Sequence, residues 1–255
     1  MFSELVTYHA KFVGHKENVN CMKTTIRIVY IVLFLACFQL KHAFAYSPAY
    51  QFVERYLSAL YDVYLGEKEF DEALPNVEST EEKVKFFEKV FRSNNRMEDA
   101  RNSVEPFLKS DDSLIQIFAV GMTNSINKYI AANNEALKLF DTEASLIDEW
   151  KGAAMAAKVR VDRKDALNDI QSNVFNLKLV ILTKPEIEKS NVPEKVRISE
   201  SERLLLIQRI DETFGENFKK YRNETEDRNK EKYKHFWLLF SLNQFYTDLS
   251  ILNIK

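Results

Sequence analysis

Cysteine is nearly absent from this sequence, and its two cysteines both lie near the start. They are Cys21 and Cys37, and no cysteine follows residue 45. The rest of the chain can therefore form no disulfide bond and offers no thiolate to a metal ion. Because secreted eukaryotic domains often rely on disulfides, a cysteine-free exported chain would fit a bacterial envelope better.

Histidine is almost as scarce, since only His235 lies beyond residue 45. Structural zinc sites use cysteine and histidine almost exclusively, so none is expected. Cys–His nucleophilic pairs are excluded, and a Ser–His–Asp arrangement could use only His235. Glu231 stands four residues earlier, which predicts a surface pair on a charged helix or an acid–base or metal-binding pair. We favour the surface pair and expect no catalytic residue, metal ion or cofactor.

Glycine occurs only five times, and always singly. No glycine-rich loop of the kind that cradles a phosphate can be drawn, and the scarcity favours helices. The chain has 36 basic and 38 acidic residues, a net charge of −2, and no block of basic residues. General nucleic-acid binding is therefore not expected.

A secretory leader is predicted over residues 22–45. Met22 opens a short basic segment with Lys23 and Arg27, an apolar run of 11 residues follows at 28–38, and alanines stand at 43 and 45. These are the three parts of a signal peptide. The apolar run is shorter than the roughly 20 residues that cross a bilayer. We expect no membrane span once the leader is removed.

Residues 1–21 stand in front of this leader and resemble none of its parts. We interpret them as an upstream extension from a misplaced start codon, the alternative being an extended basic region of the leader. Residues 46–255 are then the mature chain, a single α-helical domain, exported to the periplasm or the extracellular space. Cys37 has a second interpretation as a lipid anchor, but the residues before it match a bacterial lipobox only loosely.

Apolar residues recur at helical spacing along most of the mature chain. Ser47 and Pro48 form a good helix start, and the stripe that follows is expected to end at Gly66. Residues 94–95 are expected to interrupt the next stripe. Pro106 should then end or kink a further helix.

The longest pattern predicts an antiparallel pair of helices, roughly 112–140 and 143–182. A seven-residue rhythm begins at Ile115 and continues to Phe140, which is typical of a long packed helix. Asn133 breaks this rhythm. Such a residue can set the register of packed helices, and exposure to solvent near the helix end is the alternative.

Two further signals complete the predicted fold. Ser199 and Glu202 predict a capping box, and residues 236–252 are apolar nearly all round, as in a buried helix. Alternating apolar residues near 176–199 make a small β-ribbon possible as an alternative. The sequence therefore predicts an all-α bundle of about six helices with a long central helical hairpin.

Aromatic residues concentrate in the first and last helices of the mature chain. Such rings usually fill a core. Six of them are candidates for a face that binds a partner or a ligand: Tyr50, Tyr56, Tyr61, Tyr64, Trp237 and Phe240.

These exclusions favour a non-enzymatic envelope protein that acts through protein–protein interaction with an unknown partner. The alternative is a helical protein that binds a small ligand or lipid between its aromatic-rich first and last helices, which requires a large apolar cavity there. A filled core and an exposed apolar patch would favour partner binding. A hydrolase that uses scattered carboxylates is a third possibility.

Overall fold

The computed structural model describes residues 46–73, 80–141, 149–182 and 196–252. From Ser47 onward the described residues belong to one compact unit. The predicted upstream extension and leader lie outside the described residues. Within the described ranges, no helix combines the length and the apolar character that a bilayer crossing requires.

The described residues are helical almost throughout, which confirms the all-α bundle and its central hairpin. Short one-turn segments join six long helices. In chain order the elements are α1 (Pro48–Asp71), α2 (Thr80–Val104), a 3₁₀ turn (Glu105–Phe107), α3 (Ser113–Asp141), α4 (Glu149–Asn176), α5 (Lys178–Ile181), α6 (Glu200–Asn223), α7 (Asp227–Lys230) and α8 (Phe236–Ile251).

The predicted β-ribbon is reduced to one isolated antiparallel bridge, between Leu182 and Val196, within the described parts of 176–199. The alternating residues before it lie at the end of α4, at position 177 between the two helices, and in α5 instead. Of these residues, Leu177 and Ile181 are buried in the core, whereas Phe175 and Leu179 are exposed. Helical packing therefore accounts for the buried members of the alternating set.

Helix α1 begins as predicted and ends later than predicted. The Ser47 hydroxyl accepts a hydrogen bond from the Tyr50 amide at 3.1 Å, and Pro48 occupies the first helical position. The predicted end at Gly66 is wrong, because the helix continues to Asp71. A Cβ atom at Gly66 would lie 3.1 Å from the Ser93 carbonyl oxygen of α2. This glycine allows two helices to approach closely.

Helix α2 runs without a break through residues 94–95, so the predicted interruption is wrong. The Asn133 amide of α3 donates hydrogen bonds to the Ser93 hydroxyl at 3.1 Å and to the Asn94 side-chain oxygen at 2.8 Å. Asn133 is fully buried, which rules out the solvent-exposed alternative. Polar pairing across the α2–α3 interface thus replaces the turn that these residues suggested. Pro106 does end α2, in the 3₁₀ turn.

Helices α3 and α4 form the predicted antiparallel hairpin. Lys128 on α3 lies 2.5 Å from Asp169 on α4, while Arg163, earlier on α4, reaches Tyr129. A Cβ atom at Gly121 would meet Asn173, later on α4. The bounds of α3, Ser113–Asp141, match the predicted range 112–140 within one residue at each end. The predicted start of the second helix at 143 lies outside the described residues, and α4 ends at Asn176, before the predicted 182.

The core has two parts, and α1 contributes to both. The larger part takes side chains from α1 to α6 and from α8, whereas the smaller one contains Phe70, Phe86 and Val90. Along α1, Val63 belongs to the larger part and Phe70 to the smaller. Glu67 lies between these two on the buried side of the same helix. A carboxylate is therefore placed where the two apolar regions meet.

Candidate functional site

The six aromatic residues predicted as a binding face do not share one surface. Tyr50 and Tyr56 are buried in the core, Tyr61, Tyr64 and Trp237 are half-buried, and Phe240 is exposed. Tyr61 and Tyr64 stack with their ring centroids 6.0 Å apart. Burial raises the pKa of the Tyr56 hydroxyl, which has no hydrogen-bond partner among the described residues. The six rings therefore lie in three different environments: buried in the core, half-buried and exposed.

Phe240 belongs to an exposed apolar patch that we define by Phe175, Leu179 and Phe240. The Phe175 and Phe240 rings stack with centroids 6.0 Å apart and planes inclined by 27°. Leu179 follows Phe175 by four residues, in α5 just after the turn at Leu177. The exposed fractions are 43% for Phe175, 45% for Leu179 and 39% for Phe240.

The patch exists because α8 has more apolar residues than its neighbours can cover. Its inner side buries Leu238, Leu242, Phe245 and Leu249 in the core. Helix α4 runs beside α8 in the same direction, and the Gln171 side chain donates to the Trp237 carbonyl at 3.5 Å. A helix that is apolar nearly all round is normally enclosed. Here one side of it remains open.

A second candidate site surrounds the buried carboxylate of Glu67. One oxygen, Oε2, accepts a hydrogen bond from Trp237 Nε1 at 3.2 Å and lies 3.1 Å from His235 Nδ1. The side chains of Glu67 and His235 are only 10% and 4% exposed. We call Glu67, Asp71, Arg163 and His235 the polar cluster.

His235 is held in an unusual conformation at the start of α8. Its backbone has φ 60° and ψ 37°, in the left-handed region that few non-glycine residues adopt. Its ring meets the Tyr64 ring edge-on at 5.0 Å between centroids, and its Nε2 atom is buried without a partner among the described residues. The predicted surface pair with Glu231 is wrong, because His235 turns inward to α1.

Asp71 and Arg163 extend the polar cluster toward the surface. Asp71 lies four residues after Glu67 on α1, and its side chain is 36% exposed. Arg163 Nη2 lies 3.9 Å from Asp71 Oδ1 and donates to the Tyr129 hydroxyl at 2.5 Å. Its guanidinium carbon lies 3.4 Å from the centre of the Phe70 ring. Burial raises the pKa of the Tyr129 hydroxyl, and the Arg163 charge offsets this only in part.

Three members of the cluster could share a metal ion. Glu67, Asp71 and His235 each offer one ligand atom, and these atoms all lie within 4.8 Å of one another. The sequence prediction missed Glu67 and Asp71, because it ended the helix at Gly66. A stripe continued past that glycine would have placed Glu67 between the buried Val63 and Phe70.

A carboxylate clamp joins the beginnings of α1 and α6. Glu202 accepts amide hydrogen bonds from Ser199 at 2.6 Å and from Ser47 at 2.5 Å, and its own amide donates to the Ser199 hydroxyl. The predicted capping box is therefore confirmed. Burial would raise the pKa of Glu202, but these hydrogen bonds together hold it below its ordinary value.

An open cleft of about 320 Å³ lies at the start of α1, away from the aromatic residues of α8. Its lining includes Ser47, Ser110, Asp112 and Arg197. Asp112 and Arg197 form an ion pair with each other. The cleft is therefore not the apolar cavity between the first and last helices that the ligand-binding alternative requires.

This chain matches no protein-family model, no curated protein and no solved structure. Function must therefore be argued from the side chains of the sites themselves.

Proposed function

We propose that this is an exported, non-enzymatic helical protein that acts by binding another protein through the apolar patch. The observation that supports this is the exposed ring pair of Phe175 and Phe240, with the exposed Leu179 four residues after Phe175. Exposed clusters of large apolar side chains mark interaction sites, and aromatic residues are enriched where interfaces are most buried. Covering these side chains would remove apolar surface from water and so favour association.

The chemistry of the patch favours a protein partner over a lipid surface. Its three side chains are uncharged, and the nearby charges Lys178 and Asp248 lie 3.7 Å from each other. Binding to anionic lipid usually depends on clustered Lys and Arg residues. The partner surface should therefore present apolar side chains at its centre.

The rings of the first helix do not favour the small-ligand alternative. Tyr50 and Tyr56 belong to the same core cluster as the apolar side chains of α8. A ligand site would need open space where these rings pack. Partner binding needs only the surface that Phe175, Leu179 and Phe240 already expose.

Export is part of the proposal and has its own support. The leader pattern at 22–45 and the absence of cysteine after it both suit an envelope location. Intact-mass measurement of the protein made from its native gene tests this. A product that begins at Tyr46 outside the cytoplasm is expected, and an uncut cytoplasmic product would contradict export.

Site-specific photocrosslinking tests the patch. Benzoylphenylalanine replaces Phe240 in one variant. In a matched control it replaces Phe91, a phenylalanine on α2 that is 64% exposed. After irradiation of the full chain in its native cells, we expect a discrete protein adduct at position 240 and none at position 91. An adduct of twice the chain's mass would identify a second copy as the partner.

Two further substitutions distinguish specific binding at the patch from chance crosslinking. Leu179→Asp places a charge in the patch and should reduce the adduct at position 240 several-fold, because burying an unpaired charge is costly. Leu204→Asp, at a residue that is 52% exposed on α6, should leave the adduct unchanged. No adduct at position 240, equal adducts at 240 and 91, adducts with lipid alone, or indifference to Leu179→Asp would each overturn the proposal.

A further inference from the structure

We propose that Glu67, Asp71 and His235 form a binding site for one divalent transition-metal ion. This inference does not depend on partner binding through the apolar patch. Two carboxylates and one imidazole converge from α1 and from the start of α8, with ligand atoms within 4.8 Å of one another. Carboxylate oxygens and imidazole nitrogens are both common ligands of such ions.

The separations require only small side-chain movements to enclose an ion. Ligands about 2.1 Å from a metal lie about 3 to 4 Å from one another. His235 Nδ1 and Glu67 Oε2 are already 3.1 Å apart. Asp71 is the most exposed of the three side chains and the freest to adjust. Its position also gives an ion a route from solvent.

The hydrogen bonding of His235 is compatible with a cation at Nδ1. A neutral imidazole has one donor and one acceptor nitrogen. If Nδ1 carries the proton, the lone pair of the buried Nε2 has no donor among the described residues. If Nε2 carries it, the lone pair of Nδ1 faces the Glu67 oxygen. A cation held by Nδ1 and Glu67 removes this second conflict and leaves the buried Nε2–H without an acceptor among the described residues.

Neighbouring groups support the ligands and limit the affinity. Trp237 Nε1 donates to Glu67 Oε2 and so fixes the carboxylate, as outer-shell donors do in metal sites. Arg163 Nη2 lies 3.9 Å from Asp71 Oδ1, beyond hydrogen-bond distance, and donates to the Tyr129 hydroxyl. Asp71 therefore keeps its lone pairs for an ion, while the guanidinium charge opposes a second cation. We expect micromolar rather than nanomolar binding.

The combination of one imidazole and two carboxylates favours a transition-metal ion such as Mn²⁺ over Mg²⁺ or Ca²⁺. Mg²⁺ and Ca²⁺ prefer oxygen ligands throughout, whereas the single imidazole suits transition metals and the two carboxylates suit Mn²⁺. With three protein ligands, positions remain for water or exchange. Such a site differs from the closed Cys and His sites that the sequence already excludes.

Titration of the purified full chain with Mn²⁺, followed by the electron paramagnetic resonance signal of free Mn²⁺, tests the site. Asp71→Asn replaces a charged carboxylate ligand with a neutral and weaker amide ligand. Glu72→Gln is the matched control at the adjacent carboxylate, which pairs with Lys89. We expect affinity to fall at least about tenfold in Asp71→Asn and to stay unchanged in Glu72→Gln. Ligands in residues 1–45 are the same in all these chains.

His235→Asn supplies the second comparison, because asparagine tolerates the left-handed backbone conformation. It should also weaken Mn²⁺ binding at least about tenfold. Circular dichroism checks its folding, and if it fails to fold the Asp71 and Glu72 pair decides alone. Three results would overturn the proposal: no Mn²⁺ binding by the wild-type chain at Mn²⁺ concentrations up to about 1 mM, Mn²⁺ binding by Asp71→Asn as tight as by the wild type, or displacement of Mn²⁺ by about a hundredfold excess of Mg²⁺.

Discussion

Helices α6 and α8 begin in opposite ways. At α6, Ser199 caps the helix, and Glu202, three residues later, accepts a hydrogen bond from the Ser199 amide. At α8, the N-cap position is taken by His235 in a left-handed conformation, and no side chain caps the helix. Its ring is fixed by Glu67, which lies 168 residues earlier in the chain.

The difference separates local from long-range encoding. The start of α6 is specified within four residues and can form as soon as that segment does. The start of α8 is specified only after α1 has packed against the end of the chain. Strain at His235 therefore has to be offset by contacts that exist only in the folded protein. Substitutions at the two helix starts should accordingly have effects of different size.

Glu67→Ala should have the largest effect, a loss of about 3 kcal/mol in the free energy of unfolding. The substitution leaves the buried His235 Nδ1 and the half-buried Trp237 Nε1 without their shared partner. An unpaired buried polar group costs about 1 to 3 kcal/mol, and the half-buried one costs less. Urea unfolding of the full chain at pH 7 measures it. Glu69→Ala, two residues along α1, should cost less than about 0.5 kcal/mol. Equal losses would show that Glu67 has no special role.

Glu202→Ala should cost about 2 kcal/mol at pH 7, because two amides lose their acceptor. The pKa of Glu202 is lowered in the folded chain. Its contribution is therefore complete above the unfolded pKa and lost as pH falls through the folded one.

Urea titrations at several pH values should show the gap between wild type and Glu202→Ala shrinking below about pH 4.3. Glu200→Ala, an exposed carboxylate in the same helical turn that pairs with Arg203, is the control. A gap of constant size across this range would contradict the assigned hydrogen bonds.

Ser199→Ala should cost about 1 kcal/mol, the usual effect of losing a helix cap. Ser199→Asp should retain most of the stability, because aspartate also accepts from the amides of the first turn. Thermal unfolding followed by circular dichroism compares the two variants. If both lose the same stability, the capping interaction is not what Ser199 contributes.

Trp237→Phe should have the smallest effect, about 0.5 to 1 kcal/mol. Phenylalanine keeps an aromatic ring beside α1 but cannot donate to Glu67. Glu67 retains its contact with His235, so no buried group loses its only partner. Urea unfolding measures the change. A loss as large as that of Glu67→Ala would mean that the tryptophan ring itself supports the start of α8.

The features that could be predicted from the sequence are those that neighbouring residues specify, and the features that could not are those that depend on distant parts of the chain. As helix caps, Ser47, Pro48, Ser199 and Glu202 act within one helical turn, and these predicted roles are confirmed. The further hydrogen bond from the Ser47 amide to Glu202 was not predicted. The long hairpin was predictable because its apolar rhythm repeats over many turns. The pairing of Glu67 with His235 was not, since no local pattern relates residues so far apart in the chain.

Two predictions failed because residues that often end helices make contacts between packed helices in this fold. Gly66 suggested a helix end, and residues 94–95 suggested a break. In the fold, the glycine brings α1 close to α2, and Asn94 pairs with Asn133 of α3. Glycine and asparagine end helices in isolation, but between packed helices their small size or hydrogen-bonding capacity can be used for contact. Only the neighbouring helix distinguishes the two uses.

The close approach at Gly66 also sets the position of the carboxylate that follows it. A methyl group there would meet the Ser93 carbonyl oxygen at 3.1 Å, and that oxygen cannot move without its helix. Helices α1 and α2 would have to separate by a few tenths of an ångström. Glu67 would shift with α1 relative to the histidine and tryptophan that it contacts. The spacing of two backbones thus tunes a polar site through a residue that has no side chain of its own.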